Sequence, residues 1–330
     1  MKLEDIAVKL NLSVSTVSRA MTGKGRVSSK TKERVIATAQ EAGYTVNGVA
    51  QSLRLRDAKN VGVIVPDISN SFFAAVIKGA QQCCRENGYI LTVCNSDENV
   101  IYEEEALHML LGKQISGLIL ASVGGSAEQT DQYARLNIPT VYIDNIPEKR
   151  TRCDVVSIDN AAAARELTER MFQRGYNRIG MITGPLSQSS GLLRQKGFIE
   201  AHEKAGLKVR KEWIAEGEFC MESGYTQMTR LLALPDRPRA MLFGNNLIAY
   251  GAINAIREHK LTIPDDIALA SFDALDYTGL MKPLIASVNQ PAQEIGKRAA
   301  EIIMQHLHSE LPLQTSRIVL EPTFADGDSW

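Results

Sequence analysis

Apolar residues recur at helical spacing through the first 42 positions and in short strand-like runs from Val61 onward. Leu3, Ile6, Ala7 and Leu10 lie three, one and three residues apart, which places them on one face of a helix. Asn11-Leu12 then turns the chain, Ser13 caps a second helix over 14–21, and Gly23 ends it. A third helix follows Ser28 and runs to Ala42, with Val35, Ile36 and Ala39 inward and Gly43 as the stop. Three short helices with so tight a turn between the first two make a helix-turn-helix unit.

After Tyr44, Asn47 can cap a short segment, 48–56, with Val49, Ala50 and Leu53 on one side and Arg54 and Arg56 on the other. About nine residues cannot hold a helix alone, because nucleation is costly and little area is buried. This is a linker that folds when something pairs with it. Beyond it, strands over 61–65, 90–94, 117–121 and 140–143 alternate with helices near 71–87, 102–111 and 127–136. The alternation repeats with strands over 155–158, 178–182, 240–243, 267–271 and 285–288 and helices near 161–174, 192–205, 223–232 and 247–258. A last helix, 292–308, and a strand, 317–320, follow both runs. Such alternation means parallel sheets covered on both faces, and two runs mean two doubly wound halves rather than one very wide sheet.

The expected division is therefore a helix-turn-helix domain over 1–45, a hinge helix and linker over 46–59, and a core over 60–330. Within the core, one subdomain takes about 60–157 and 290–316, and the other about 158–289 and 317–330.

Charge divides the chain at the same place. The first 60 residues carry eleven Lys or Arg against five Asp or Glu, net +6, leaving 26 basic and 33 acidic residues, net −7, in the other 270. A basic end of this kind is the electrostatic footprint of polyanion binding. Charges in Met1-Lys2-Leu3-Glu4-Asp5-Ile6 stand where a secretory signal needs apolar residues, and no later run approaches ~18 apolar residues, so neither export nor a membrane span is expected. Cys83, Cys84, Cys94, Cys153 and Cys220 are odd in number and lack C-x-x-C spacing, which fits small core residues in a reducing cytoplasm. No strand leads into G-x-G-x-x-G or G-x-x-x-x-G-K-[ST], and His108, His202, His259, His306 and His308 show no metal or triad spacing. Catalysis, a cofactor and a metal are thus not expected.

Four pieces of the sequence are more specific: Val17-Ser18-Arg19; Asn47-Gly48-Val49-Ala50-Gln51-Ser52-Leu53; Gly184-Pro185-Leu186 followed by Leu193-Arg194; and Asp273 preceding Gln290-Pro291. In this order and spacing the chain resembles the LacI/GalR family of bacterial transcription regulators, from Leu3 to about Pro322. The resemblance implies an N-terminal all-α helix-turn-helix domain plus an α/β core of two doubly wound parallel-sheet subdomains, like that of periplasmic binding proteins. It places Val14, Ser15 and Arg19 at the base-reading positions of the second helix. Arg19 offers a two-pronged donor to guanine, worth roughly 1 to 3 kcal/mol of discrimination, and Val14 an apolar contact for a thymine methyl. Ser13, Thr16, Ser28 and Lys32 fall to phosphates, which position without specifying sequence. Leu53, with Asn47 and Ala50 beside it, corresponds to a leucine that similar proteins insert into the minor groove; packing on Tyr44 or on the core is the alternative. Insertion needs two such segments side by side, which implies a homodimer on near-palindromic double-stranded operator DNA. No heptads follow the strand over 317–320, so a dimer is the expected assembly.

Ligands of such sheets sit beyond the carboxyl ends of strands. Asp144, Asn245 and Asp273 each follow a predicted strand. The resemblance adds Arg194, Gln290 and the aromatic Phe219; Phe72 and Phe73 can close the other wall, and Asp67 and Ser190 are polar enough to line it. Carboxylates with one guanidinium suit the hydroxyls of a sugar, and ring faces suit its C–H surface. A helix cap or an ion pair between the halves is the plainer alternative for each residue. Many relatives carry an acidic residue where this chain has Asn245-Asn246, which tilts the expectation slightly from a neutral sugar toward a sugar acid or sugar phosphate. The implied function is an effector-switched transcription repressor in the cytoplasm. A periplasmic-type sugar-binding protein shares the two lobes but needs a signal peptide, and an α/β enzyme needs motifs that are absent from the sequence.

Overall fold

The protein, described by a computed structural model over residues 3–22, 26–42, 59–124, 136, 138–146, 153–273, 280, 282–311 and 313–330, falls into two compact units, Met1–Ala58 and Lys59–Trp330.

In the first unit α1 (Leu3–Leu10), α2 (Val14–Thr22) and α3 (Ser29–Glu41) enclose Ile6, Ala7, Val17, Ala20, Val35 and Ala39. Ser13 Oγ caps α2 by accepting the Thr16 N–H at 3.2 Å, and Ser28 Oγ caps α3 by accepting that of Thr31 at 3.2 Å. Ile36, expected inward, is exposed, and Thr38 is buried instead. Val35, Thr38 and Ala39 form a stripe at helical spacing, while Ile36 lies about 100° further round the axis from Val35. The expected hinge segment, with Asn47, Ala50 and Leu53, lies outside the described residues, as does most of the helix expected near 127–136.

The second unit holds two lobes, each built on a six-stranded sheet. The first lobe opens with β1 (Asn60–Val65), α4 (Ser71–Glu86), β2 (Ile90–Asn95), α5 (Val100–Gly112), β3 (Gly117–Leu120), β4 (Thr140–Ile143) and β5 (Asp154–Ile158). The second has α6 (Asn160–Gln173), β6 (Ile179–Thr183), α7 (Ser189–Lys204), β7 (Ile214–Glu216), α8 (Met221–Leu232), β8 (Ala240–Phe243), α9 (Asn246–Glu258), β9 (Ala268–Phe272) and β10 (Ala286–Asn289). Then α10 (Ala292–His308) and β11 (Arg317–Leu320) return to the first lobe and β12 (Thr323–Ala325) to the second. Strand orders are β11-β5-β4-β3-β1-β2 and β12-β10-β9-β8-β6-β7, parallel throughout except for β12. The chain therefore passes between the lobes three times, around Asp159, Gln290-Pro291 and Glu321-Pro322.

Both faces of these sheets are covered. In β1, Val61, Val63 and Val65 pack beneath α4 and α10, while Ile64 packs with Leu107 and Leu110 of α5 on the other side. Burial of both faces is why such strands read as continuous apolar runs. Helices α4 and α10 cross in direct backbone contact at Gly79 and Gly296, where an added Cβ would sit 1.9 Å from the carbonyl oxygens of Gln293 and Val76.

Three expectations are corrected. The strand over 317–320, assigned with the second subdomain, instead pairs in parallel with β5, from Arg317 opposite Val155 to Leu320 opposite Ile158. Asp154 directs this return, since its carboxylate accepts the Ser316 N–H at 2.7 Å and meets His306 Nε2 of α10 at 3.0 Å. Strands β7 and β12 were not expected, because three residues are too few to display a period. Cys220, expected as a core residue, is exposed at the N-cap of α8. Among the described residues no helix is long and apolar enough to cross a membrane.

Candidate functional site

In each sheet the strand order reverses at one point, between β1 and β3 and between β6 and β8. Such reversals open a crevice beyond the carboxyl ends of the strands. Here Asp67 follows β1, Asp144 follows β4, Asn245 follows β8 and Asp273 follows β9. They line one cavity of about 20 Å³ together with Asn70, Phe72, Phe73, Glu98, Arg194, Phe219, Leu247 and Gln290. Nine of the ten residues expected at the cleft are thus brought together. The tenth, Ser190, is fully buried outside this lining, where its N–H donates to Asn145 Oδ1 at 3.0 Å.

Arg194 is the centre of the charge arrangement. It lies on α7 and is only 2% exposed. Its Nε donates to Asn160 Oδ1 at 2.8 Å and Nη1 to the Gly244 carbonyl at 2.6 Å, while Phe272 presents its ring face 4.2 Å from the guanidinium carbon. Nη2 is buried without a hydrogen bond among the described residues; Asp144 Oδ1 stands 3.7 Å away. Burial holds the Arg194 pKa below its ordinary value, with Asp144 and Asp273 opposing that shift.

The carboxyls respond to the same enclosure. Burial pushes Asp144 up to about 6, against the pull of Arg194 and with a further push from Asp273. Asp273 is also raised by burial, with Arg194 and Gln290 acting to lower it. Gln290 Nε2 donates to both Asp273 oxygens, at 3.4 and 3.2 Å. Asp144 and Asp273 have φ of 55° and 61°, left-handed conformations that non-glycine residues seldom adopt. Apolar walls come from Phe72 and Phe73, whose rings meet edge to face at 5.0 Å, and from Phe219. Phe219 lies so close over Gly184 that a Cβ there would be 2.1 Å from the ring. The sequence Gly184-Pro185 therefore serves the aromatic wall by steric absence.

Polar side chains close the cleft from both lobes. Asn70 and Asn246 exchange amide hydrogen bonds at 3.3 and 3.2 Å. Gln188 Nε2 donates to Glu98 Oε2 at 2.8 Å, Asn145 Nδ2 donates to Gln188 Oε1 at 2.5 Å, and the Ile146 N–H donates to Ser189 Oγ at 2.8 Å. Asn245 Oδ1 caps α9 by accepting the Ile248 N–H at 2.8 Å, so its cap role and its place in the lining coexist.

Sequence reasoning missed Asn70, Glu98 and Leu247 in the lining and Asn160 and Gly244 behind Arg194. Asn70 carried a signal, as an Asn directly before the Ser71-Phe72-Phe73 helix start, whose N-cap it forms. The strand-end rule also reaches the turn after β2, where Glu98 stands.

In the first unit α2 turns Val17 and Ala20 inward and leaves Ser13, Val14, Ser15 and Arg19 exposed, with Thr16 half-buried. Ser13 Oγ lies 2.9 Å from Ser15 Oγ and 2.8 Å from Thr16 Oγ1, a hydroxyl cluster at the positive end of the helix. Arg19 Nε donates back to the Ser15 carbonyl at 3.1 Å. Ser28 and Lys32 are exposed at the start of α3. An exposed polar helix start with an arginine one turn on is suited to a nucleic-acid groove.

A helix-turn-helix unit joined in sequence to a two-lobed α/β core with a ligand-type cleft defines a DNA-binding sensor class. Residues 58–320 match the family model described as periplasmic binding proteins and sugar binding domain of LacI family, and residues 2–47 match bacterial regulatory proteins, lacI family. The chain belongs to the LacI family of bacterial transcription regulators. It is 32% identical over 336 residues to the HTH-type transcriptional repressor PurR of Proteus mirabilis (strain HI4320), covering 98% of this chain and 97% of that one. It is 28% identical over 317 residues to the HTH-type transcriptional repressor CytR of Escherichia coli (strain K12), covering 96% and 93%. Among solved structures, a transcriptional regulator CelR–cellobiose complex superposes with a TM-score of 0.75 at 26% identity, covering 100% of both chains.

Proposed function

We propose that this regulator is a repressor that binds near-palindromic operator DNA as a homodimer in the cytoplasm, and that a small sugar-like effector in the cleft sets its operator affinity. The single observation that carries the effector reading is Arg194 Nη2, buried in the cleft lining without a hydrogen bond among the described residues, Asp144 Oδ1 standing 3.7 Å away. A buried donor left unsatisfied costs about 1 to 3 kcal/mol, and a ligand oxygen would relieve that cost. The carboxyls of Asp144 and Asp273 accept from ligand hydroxyls, Asn245 and Gln290 supply further polar contacts, and Phe72, Phe73 and Phe219 cover C–H surface. The cellobiose complex of CelR supports a sugar-type ligand, and the names of PurR and CytR support repression.

At the DNA, Val14, Ser15 and Arg19 read bases, while Ser13, Thr16, Ser28 and Lys32 meet phosphates. Leu53, with Asn47 and Ala50, enters the minor groove by family resemblance. A cavity of about 20 Å³ has room for about one water, so the effector requires the lining to part around it, and it shifts the balance between lobe arrangements by binding one of them more tightly than the other.

Thermal shift of the purified protein against a panel of sugars tests this reading, because a ligand of the folded state raises the midpoint. Arg194→Ala should lose that shift and the effector's influence on operator binding, while operator binding itself persists. A shift that survives in Arg194→Ala would place the ligand elsewhere.

A further inference from the structure

Glu98 stands in the turn between β2 and α5, where Asp97 and Glu98 both have positive φ, 48° and 53°. Two consecutive non-glycine residues in that region are strained and persist only where their surroundings hold them. The surroundings do hold this turn. Asn95 Oδ1 accepts the Ile68 N–H at 2.8 Å, Ser96 N donates to the Val65 carbonyl at 2.9 Å, and Asn99 N donates to the Ser96 carbonyl at 2.8 Å. The turn directs the Glu98 carboxyl into the cleft lining, and Gln188 of the opposite lobe fixes one of its oxygens.

With Glu98 the lining contains four carboxyls, those of Asp67, Glu98, Asp144 and Asp273, against the single guanidinium of Arg194. That excess outweighs the charge missing at Asn245-Asn246 and reverses the tilt toward anionic ligands. Asp144 and Asp273 already flank Arg194, so among the described residues the lining carboxyls without a cationic partner are those of Glu98 and Asp67. Asp67 is engaged locally, accepting from Ser69 N at 2.8 Å and Ser69 Oγ at 2.6 Å.

We propose that Glu98 is a further specificity-determining residue of this cleft, a fixed carboxyl that admits neutral polyhydroxylated ligands and rejects anionic ones of the same shape. The assignment rests on the effector reading above. Glu98 Oε1 accepts a ligand hydroxyl while Oε2 stays with Gln188, and a ligand carboxylate or phosphate in the same place meets like charge in a confined space. Burial pushes Glu98 up to about 7, opposed by the Gln188 hydrogen bond and reinforced by Asp144, Glu218 and Asp67. The rejection of anions therefore strengthens as pH rises and Glu98 ionises, with Asp144 adding in the same direction and Arg194 and Asp273 completing the charges around the ligand.

Isothermal titration with D-glucose against D-glucuronate and D-galactose against D-galacturonate tests the assignment on wild type, Glu98→Gln and Arg194→Ala. Wild type should prefer the neutral member of a pair by about tenfold or more at pH ~8, and by less at pH ~6. Glu98→Gln keeps an acceptor for Gln188 and removes the charge; it should cut the preference about fivefold or more and flatten its pH dependence. An undiminished preference in a folded Glu98→Gln protein, or a wild-type preference for the uronates, would overturn the role of Glu98. If Glu98→Gln does not fold, Asp144→Asn, which removes the other carboxyl ionising in this range, decides: a preference that stays level between pH ~6 and pH ~8 in that variant overturns the role, and one that rises upholds it. Neutral sugars that bind wild type but not Arg194→Ala uphold the cleft reading whatever Glu98→Gln does. Absence of binding by every member overturns both readings.

Discussion

Asn70 and Asn246 face each other across the cleft and each donates its amide to the other's oxygen, at 3.3 and 3.2 Å. Asn70 is also the N-cap of α4, and Asn246 opens α9, so one buried amide pair joins the starts of two helices from opposite lobes. Each such hydrogen bond contributes about 1 kcal/mol, so Asn246→Ala should lower the closed-to-open ratio of the lobes about five- to thirtyfold. Small-angle scattering should then show a larger radius of gyration for the variant. An unchanged radius would mean that the contacts of Gln188 and Ser189 suffice to hold the lobes together.

Gly184→Ala should displace Phe219, whose ring lies 2.1 Å from the position of the new methyl. Overpacking of this kind costs about 1–3 kcal/mol. Urea denaturation should report a lower midpoint, and the response to any sugar that shifts the wild-type melt should weaken. A midpoint equal to wild type would show that the ring has room to withdraw.

Asp144 links stability to pH. Its pKa is raised from 3.8 to about 6 in the folded protein, so the unfolded chain gives up this proton first. Its contribution is fully present below pH ~4 and is lost as pH rises through about 6. Asp144→Asn removes the titration, and its stability relative to wild type should rise by on the order of 3 kcal/mol between pH ~4 and pH ~7. Denaturant titrations across that range provide the check, and a constant difference between the two proteins would contradict the buried environment assigned to Asp144.

The residues proposed to meet DNA separate into two kinds of expected effect. Arg19→Ala should reduce discrimination among operator variants by about 1–3 kcal/mol, chiefly at one base pair. Lys32→Ala should weaken binding evenly across sequences and lower the salt dependence by about one unit of slope. Fluorescence anisotropy on operator and random duplexes at several salt concentrations distinguishes the two. Equal losses on all duplexes for Arg19→Ala would make Arg19 a phosphate contact.

The sequence displayed whatever depended on repetition. Val61, Val63 and Val65 with Ile64 between them show a strand buried on both faces, and the capping residues Ser13 and Ser28 mark their helix starts correctly. Asp144, Asn245 and Asp273 were found because the ends of strands are legible once the strands are. What stayed hidden depended on long-range return. Arg317–Leu320 comes between α10 of the first lobe and β12 of the second, and the contacts of Asp154 with Ser316 and His306 show that it joins the first. Glu98 sits in Asn95-Ser96-Asp97-Glu98-Asn99, which reads as a solvated turn because nothing local announces the Gln188 that meets it from 90 positions away. Ile36 was misplaced for a smaller reason, since an apolar residue beside a true core position mimics the stripe.

The three passages between the lobes also govern when the protein can become whole. Ile295, Ala299 and Ile303 of α10 are core of the first lobe, and β12 completes the second sheet beside β10. A chain emerging from the ribosome can therefore finish neither lobe until α10 and β12 are free, whereas the core of the helix-turn-helix, Ile6, Ala7, Val17, Ala20, Val35 and Ala39, is all synthesised within the first three helices. The part that touches DNA is thus ready well before the part that restrains it.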